Sequence, residues 1–104
     1  MTEELINNLA KLVKGKNDNQ DILIFTLSTC MWCKKCKSYL NEHDVQYRYI
    51  DMDQVPYDQK ARIMDYLNTK YNARVSYPFL ICDGEFTVGY DPNKYDQMIN
   101  TGGN

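Results

Sequence analysis

The chain has 104 residues, 43% of them apolar, with 12 basic against 14 acidic side chains and a formal net charge of −2. That length holds one domain with an ordinary core and is too short for two. The acidic balance, with a pI near 5.2, leaves no basic stripe for nucleic acid, and no run approaches the ~18 apolar residues of a membrane span.

Leu5, Ile6, Leu9, Leu12 and Val13 recur at helical spacing and predict a first helix within residues 1–15. Thr2 would cap it, Glu3 and Glu4 suit its first turn, and Gly15 would stop it. The start is acidic and amphipathic, without the basic residues and apolar core of a secretory signal, so a cytoplasmic location is expected. In a reducing compartment clustered cysteines serve catalysis or metal binding more often than structure.

A polar loop leads to residues 21–27, whose run Ile22-Leu23-Ile24-Phe25-Thr26-Leu27 is apolar on both faces, as in a central parallel strand. Ser28 and Thr29 can cap the next helix, expected over residues 31–42. Residues 46–51 are rich in β-formers and predict a second strand. A third helix is expected over residues 56–71, with Pro56 in its first turn. Residues 78–82 predict a third strand, Asp83-Gly84 a hairpin turn, and residues 85–88 a fourth strand. Asp91-Pro92 opens a last helix as N-cap and N1, with Tyr95, Met98 and Ile99 inward and Gly102-Gly103 at its end. The order is helix, β, α, β, α, β, β, α: a four-stranded mixed α/β sheet flanked by helices, whose first β-α-β is a right-handed parallel unit.

Cys30-Met31-Trp32-Cys33 sits at the junction of the first strand and its helix. Thiol–disulfide exchange needs a thiolate, which a helix N-terminus and a Cys-x-x-Cys spacing favour. A depressed pKa is therefore expected for Cys30, helped by Lys34 and Lys35 if they face the sulfur. Cys33, one turn in and facing the interior, would stay a thiol until a mixed disulfide forms. The competing reading of these residues is metal. Cys30, Cys33 and Cys36 have metal-like spacing, and a zinc site would take its fourth ligand from His43 or Cys82. Two unrelated buried cysteines would be the plainest alternative. Cys36 reads as a core cysteine or a backup thiol, Cys82 as a small apolar residue, and His43 as a solvated residue near a helix end. Trp32 reads as a partner contact or as local packing over the cysteine loop. Tyr77 and Tyr90 are the tyrosines expected near the site.

The element order and four local segments resemble the thioredoxin superfamily and, within it, the glutaredoxins. The segments are Thr29-Cys30-Met31-Trp32-Cys33, the strand ending Ile50-Asp51, Ser76-Tyr77-Pro78, and Val88-Gly89-Tyr90-Asp91. The resemblance covers residues 21–100, so the first fifteen residues are an addition. It implies a thioredoxin-like fold in which Cys30 is the attacking thiolate and Cys33 the resolving thiol, joined as a disulfide when oxidised. It implies a cis Pro78 facing them and a Tyr77 backbone that hydrogen-bonds an extended thiol peptide. Gly89 would admit that ligand closely, and Asp91 with the last helix would meet its charged ends. Trp32 and Tyr90 complete the implied contact surface.

The chain also departs from that family. Met31-Trp32 replaces the usual Pro-Tyr, Leu27 stands where glutathione-using members often carry lysine, and Pro92 replaces a second acidic residue. The Gly-aromatic-x-Pro segment is closer to glutaredoxin-like redoxins that take electrons from a thioredoxin-reductase-type enzyme and serve ribonucleotide reductase. The resemblance implies a monomeric electron carrier that binds no cofactor and reduces protein disulfides, recharged by glutathione or by such a reductase. Some glutaredoxins also bridge an iron–sulfur cluster between two chains. A redox-silent interaction domain that keeps the fold is the remaining alternative.

Overall fold

The apolar run at residues 22–26 becomes the middle of the sheet because it is paired on both edges and covered on both faces. The computed structural model describes residues 1–99. Their elements are α1 (Thr2–Leu9), β1 (Lys11–Val13), β2 (Ile22–Thr26), α2 (Met31–Glu42), β3 (Tyr47–Asp51), a 3-10 turn (Met52–Gln54), α3 (Tyr57–Tyr71), β4 (Phe79–Cys82), β5 (Glu85–Val88) and α4 (Pro92–Met98). The strands form one sheet in the order β1-β3-β2-β4-β5. β2 runs parallel to β3 and antiparallel to β4, and the two outer pairs are antiparallel.

Successive side chains of β2 point to opposite faces. Ile22 and Ile24 join Cys36, Tyr39, Leu40 and Tyr95 beneath α2 and α4. Leu23 and Phe25 join Ile6, Ile63 and Leu67 beneath α1 and α3. All five β2 residues are buried, which is why the run shows no polar alternation. The register places Phe25 opposite Ile50 and Phe79, so the central strand ends level with its neighbours. The loops that follow β2 and β3 therefore emerge at the same end of the sheet as the segment that leads into β4.

The expected N-terminal helix is present but shorter, and the sheet has five strands rather than four. α1 ends at Leu9 because Ala10 turns extended, with φ −67° and ψ 135°. Lys11–Val13 then pairs antiparallel with Tyr47–Tyr49, satisfying backbone groups that β3 would otherwise present at an open edge. Leu12, read as part of the helical stripe, is 53% exposed. Gly15 stops no helix. A Cβ there would lie 2.6 Å from the Asp44 carbonyl oxygen and the Val45 carbonyl carbon, so the residue allows two backbone segments to touch.

Smaller boundaries also move. Met1, not Thr2, holds the N-cap position of α1, without a side-chain bond. Pro56 is the N-cap of α3 rather than a residue of its first turn, because its ψ of 146° is extended. The hairpin turn at Asp83 and Gly84 has φ of 50° and 89°. α4 closes at Met98, with Ile99 extended; Gly102 and Gly103 lie outside the described residues.

Candidate functional site

The cysteine pair stands where β2 gives way to α2. The helix starts at Met31, and its N-cap is Cys30 itself, not Ser28 or Thr29. The Cys33 backbone N–H donates to Cys30 Sγ at 3.2 Å. A sulfur thus takes the place of the oxygen that usually satisfies the first-turn donors. Cys30 also holds the turn through its backbone: its N–H donates to the Leu27 carbonyl at 3.2 Å, and its carbonyl accepts from Lys34 at 3.1 Å. All four cysteines are unpaired in the structure.

The two sulfurs have unlike surroundings. Cys30 is partly exposed. Cys33 is 1% exposed, and its sulfur accepts the Leu27 N–H at 3.5 Å. Burial, aided by the hydrogen bond with Cys30, pushes the Cys33 thiol up to about 12. Burial likewise raises Cys36 and Cys82 to about 11 each.

Ser28 is engaged elsewhere. Asp53, in the 3-10 turn after β3, accepts the Ser28 N–H at 2.9 Å and its hydroxyl. Those hydrogen bonds hold the Asp53 carboxyl below its ordinary range. One residue pair thereby ties the cysteine loop to the neighbouring strand end. The lysines are committed too: Lys35 Nζ lies 4.8 Å over the Trp32 ring. Lys37 Nζ reaches Asp51 at 3.2 Å and lies 4.2 Å over Tyr49. Asp51 also accepts from the buried Thr26 hydroxyl at 2.6 Å.

The other wall is built from the starts of β4 and α4. The Tyr77–Pro78 peptide is cis. The Tyr77 ring turns into the core, its hydroxyl 3.2 Å from Met64 Sδ. Burial raises that phenol, with the Cys33 thiol the second cause. The Gly89 N–H donates to the Pro78 carbonyl at 2.8 Å. Gly89 has φ +80°, and the direction a side chain would take is open, so conformation and not crowding calls for glycine. Tyr90 stacks on Trp32 at 5.9 Å and 26°, linking the two walls. Trp32 is 54% and Met31 69% exposed. Asp91 is the helix cap, its Oδ1 accepting the Lys94 N–H at 3.1 Å.

A family model described as Glutaredoxin matches residues 22–87. The chain belongs to the glutaredoxin family. The match runs from β2 into β5, so α1, β1 and α4 lie outside it. A curated relative, an uncharacterized glutaredoxin-like 8.6 kDa protein in a rubredoxin operon of Clostridium pasteurianum, is 31% identical over 78 residues, covering 75% of this chain and 96% of its own. Methanoredoxin of Methanosarcina acetivorans is similar in structure, with a TM-score of 0.72, 28% identity, and coverage of 83% of this chain and 90% of its own. A glutaredoxin from Methanosarcina mazei Go1 matches with a TM-score of 0.72 and 25% identity, over 86% of each chain. The thioredoxin-like fold expected from the element order is the fold of these glutaredoxin relatives.

Among the described residues no group of three or more His, Cys, Asp or Glu side chains could hold a metal ion. Cys36 is wholly buried against Tyr95. The Cys82 sulfur lies 3.6 Å from the Met98 carbonyl. His43 has Nδ1 2.8 Å from the Tyr39 carbonyl and its ring over Tyr39. Sequence reasoning missed Asp53 and Tyr95 as parts of the site's support. Asp53 leaves only the trace of a carboxylate two residues past a strand end. Tyr95 falls on the inner stripe of its helix by spacing, and its hydroxyl partner is visible only in three dimensions.

Proposed function

We propose that this glutaredoxin is a dithiol oxidoreductase that reduces protein disulfides. One observation carries the reading: a partly exposed Cys30 sulfur that accepts a helix-start N–H, with a buried Cys33 thiol directly behind it. Cys30 Sγ, as thiolate at the positive end of α2, attacks one sulfur of the substrate disulfide. A mixed disulfide forms and the other substrate sulfur leaves as a thiolate. Cys33 then gives up its proton and attacks Cys30 Sγ, releasing the second substrate sulfur. Two electrons have passed to the substrate, and Cys30 and Cys33 are joined. The burial that keeps Cys33 protonated prevents it from competing for the first attack.

An external thiol reductant must restore the dithiol, and we place a thioredoxin-reductase-type enzyme ahead of glutathione. Leu27 supplies no charge beside Cys30, and Pro92 stands where a second acidic residue would sit. Each removes a partner for the charged ends of a small tripeptide. The exposed Met31 and Trp32 suit a protein partner. Ribonucleotide reductase is a candidate client, and the reducing cytoplasm the compartment in which this chemistry runs.

Insulin reduction tests the roles. Cys30→Ser abolishes turnover. Cys33→Ser still attacks but stalls, and mass spectrometry finds it bound to substrate through Cys30. Substantial activity in Cys30→Ser rejects the assignment. Offering the oxidised protein glutathione, then NADPH with a thioredoxin reductase, tests the reductant; prompt reduction by glutathione alone overturns that preference.

A further inference from the structure

The Gly89–Asp91 loop forms one wall of the site, and besides its backbone bonds and the Asp91 cap it is held by a buried side chain that takes no part in the exchange chemistry. Tyr95 is 0% exposed. Its hydroxyl donates to the Gly89 carbonyl at 3.0 Å. The Asp91 backbone and the Cys36 thiol face the same hydroxyl. Its ring meets Tyr90 edge-on at 5.9 Å and 76°, and Tyr39 edge-on at 5.3 Å and 63°. Gly89 in turn donates its N–H to the carbonyl of Pro78, and Tyr90 stacks on Trp32. A continuous path of contacts thus runs from the Tyr95 phenol to both the cis-proline side and the exposed tryptophan of the dithiol loop. A phenylalanine would fill nearly the same volume beneath the loop. Only a hydroxyl pins the Gly89 carbonyl, and a buried polar atom is retained only where it has a partner.

We propose that Tyr95 is a positioning residue for substrate: its hydroxyl fixes the Gly89–Asp91 loop, and through Tyr90 the pose of Trp32, so that the docking wall is formed before a partner arrives. The proposal rests on the reading of this site as a protein-disulfide reductase. A preformed wall spares the ordering cost that a loose loop would levy on each binding event. The hydroxyl acts on binding and not on the sulfur chemistry, because its hydrogen bond and ring contacts reach the loop and the aromatic stack while the Cys30 sulfur is held separately by the Cys33 N–H.

Tyr95→Phe tests this, since it keeps the ring and removes the hydroxyl. With insulin as substrate, KM rises about 3- to 10-fold, the range of one neutral hydrogen bond, while kcat and the rate of Cys30 alkylation by iodoacetamide stay within about twofold. Trp32 is the sole tryptophan, so its emission and anisotropy report the stack directly, and both change in the variant. Tyr39→Phe, which loses a part-buried hydroxyl contact to Asp96 and leaves the Tyr95–Gly89 bond in place, lowers stability without moving KM or Trp32 emission. An unchanged KM with unchanged Trp32 emission in Tyr95→Phe overturns the proposal, as does a joint fall of kcat and alkylation rate. If Tyr95→Phe does not fold, proton NMR of the unaltered chain decides: a Tyr95 hydroxyl proton that exchanges slowly with solvent upholds the bond to the Gly89 carbonyl, and one that exchanges at the rate of a free phenol rejects it. If the unaltered chain fails to reduce insulin, the functional reading falls, while Trp32 emission and the Tyr95 hydroxyl proton still judge the loop.

Discussion

Two cysteines of identical chemistry are divided by their surroundings. Cys30 receives an N–H and faces outward; Cys33 is covered and faces the Leu27 amide. Burial separates their tasks without any catalytic base among the described contacts of Cys33. Asp53 serves the same loop from outside. Its carboxylate accepts both donors of Ser28, two residues before Cys30. Its depressed carboxyl means that this tether is present above the ordinary aspartate range and is lost as pH falls through it and below. In Asp53→Ala the Ser28 amide exchanges with solvent faster than in the unaltered chain. An equal exchange rate would show that the tether does not hold the loop.

At the level of elements, α2 does the main positioning. Its 12 residues are capped by the reactive sulfur, and its inner face carries Cys33, Cys36, Tyr39 and Leu40 into the core. The helix therefore cannot slide without dragging the dithiol. β1 and Gly15 show a different kind of constraint. The chain leaves β1, passes Gly15 against the Asp44–Gln46 backbone, and bridges Asn17 to Val45. The Gln46 N–H donates to the Asn17 carbonyl at 2.9 Å, closing that contact. Because every neighbour of the missing Cβ is backbone, no side chain can swing aside. Gly15→Ala therefore lowers the urea midpoint, with a cost of about 1–3 kcal/mol, and leaves insulin KM unchanged because the clash is remote from the site. Full stability in Gly15→Ala would refute the close approach.

The molecule as a whole hides three thiols and several phenols, which makes it sensitive to alkali. Cys33 is raised to about 12, and Cys36 and Cys82 to about 11, all chiefly by burial. Tyr39 and Tyr95 are raised by burial as well. An unfolded thiol releases its proton near pH 8.5. Above that pH the unfolded chain loses protons that the folded chain keeps, so stability falls as pH rises. The stabilising share of these groups is complete below about pH 8.5 and is lost as pH climbs through 11 to 12. Urea midpoints measured from pH 8 to 11 should decline steadily, with a shallower slope in Cys82→Ser. A flat profile would mean that these thiols are wetter than their packing indicates.

The sequence alone determined the elements that depend on local chemistry. Met31–Glu42 and Glu85–Val88 stand where periodicity and turn residues put them, and Asp91-Pro92 caps α4 as its residue types require. The cysteine spacing at a strand-to-helix junction likewise announced the dithiol. Tertiary structure decided whatever needed a distant partner. Lys11–Val13 is a strand only because β3 offers an open edge, Asp53 belongs to the site only because β3 ends beside β2, and Tyr95 reaches Gly89 only after α4 packs on the sheet. Such choices turn on pairing and burial between segments far apart in the chain, which no local pattern encodes.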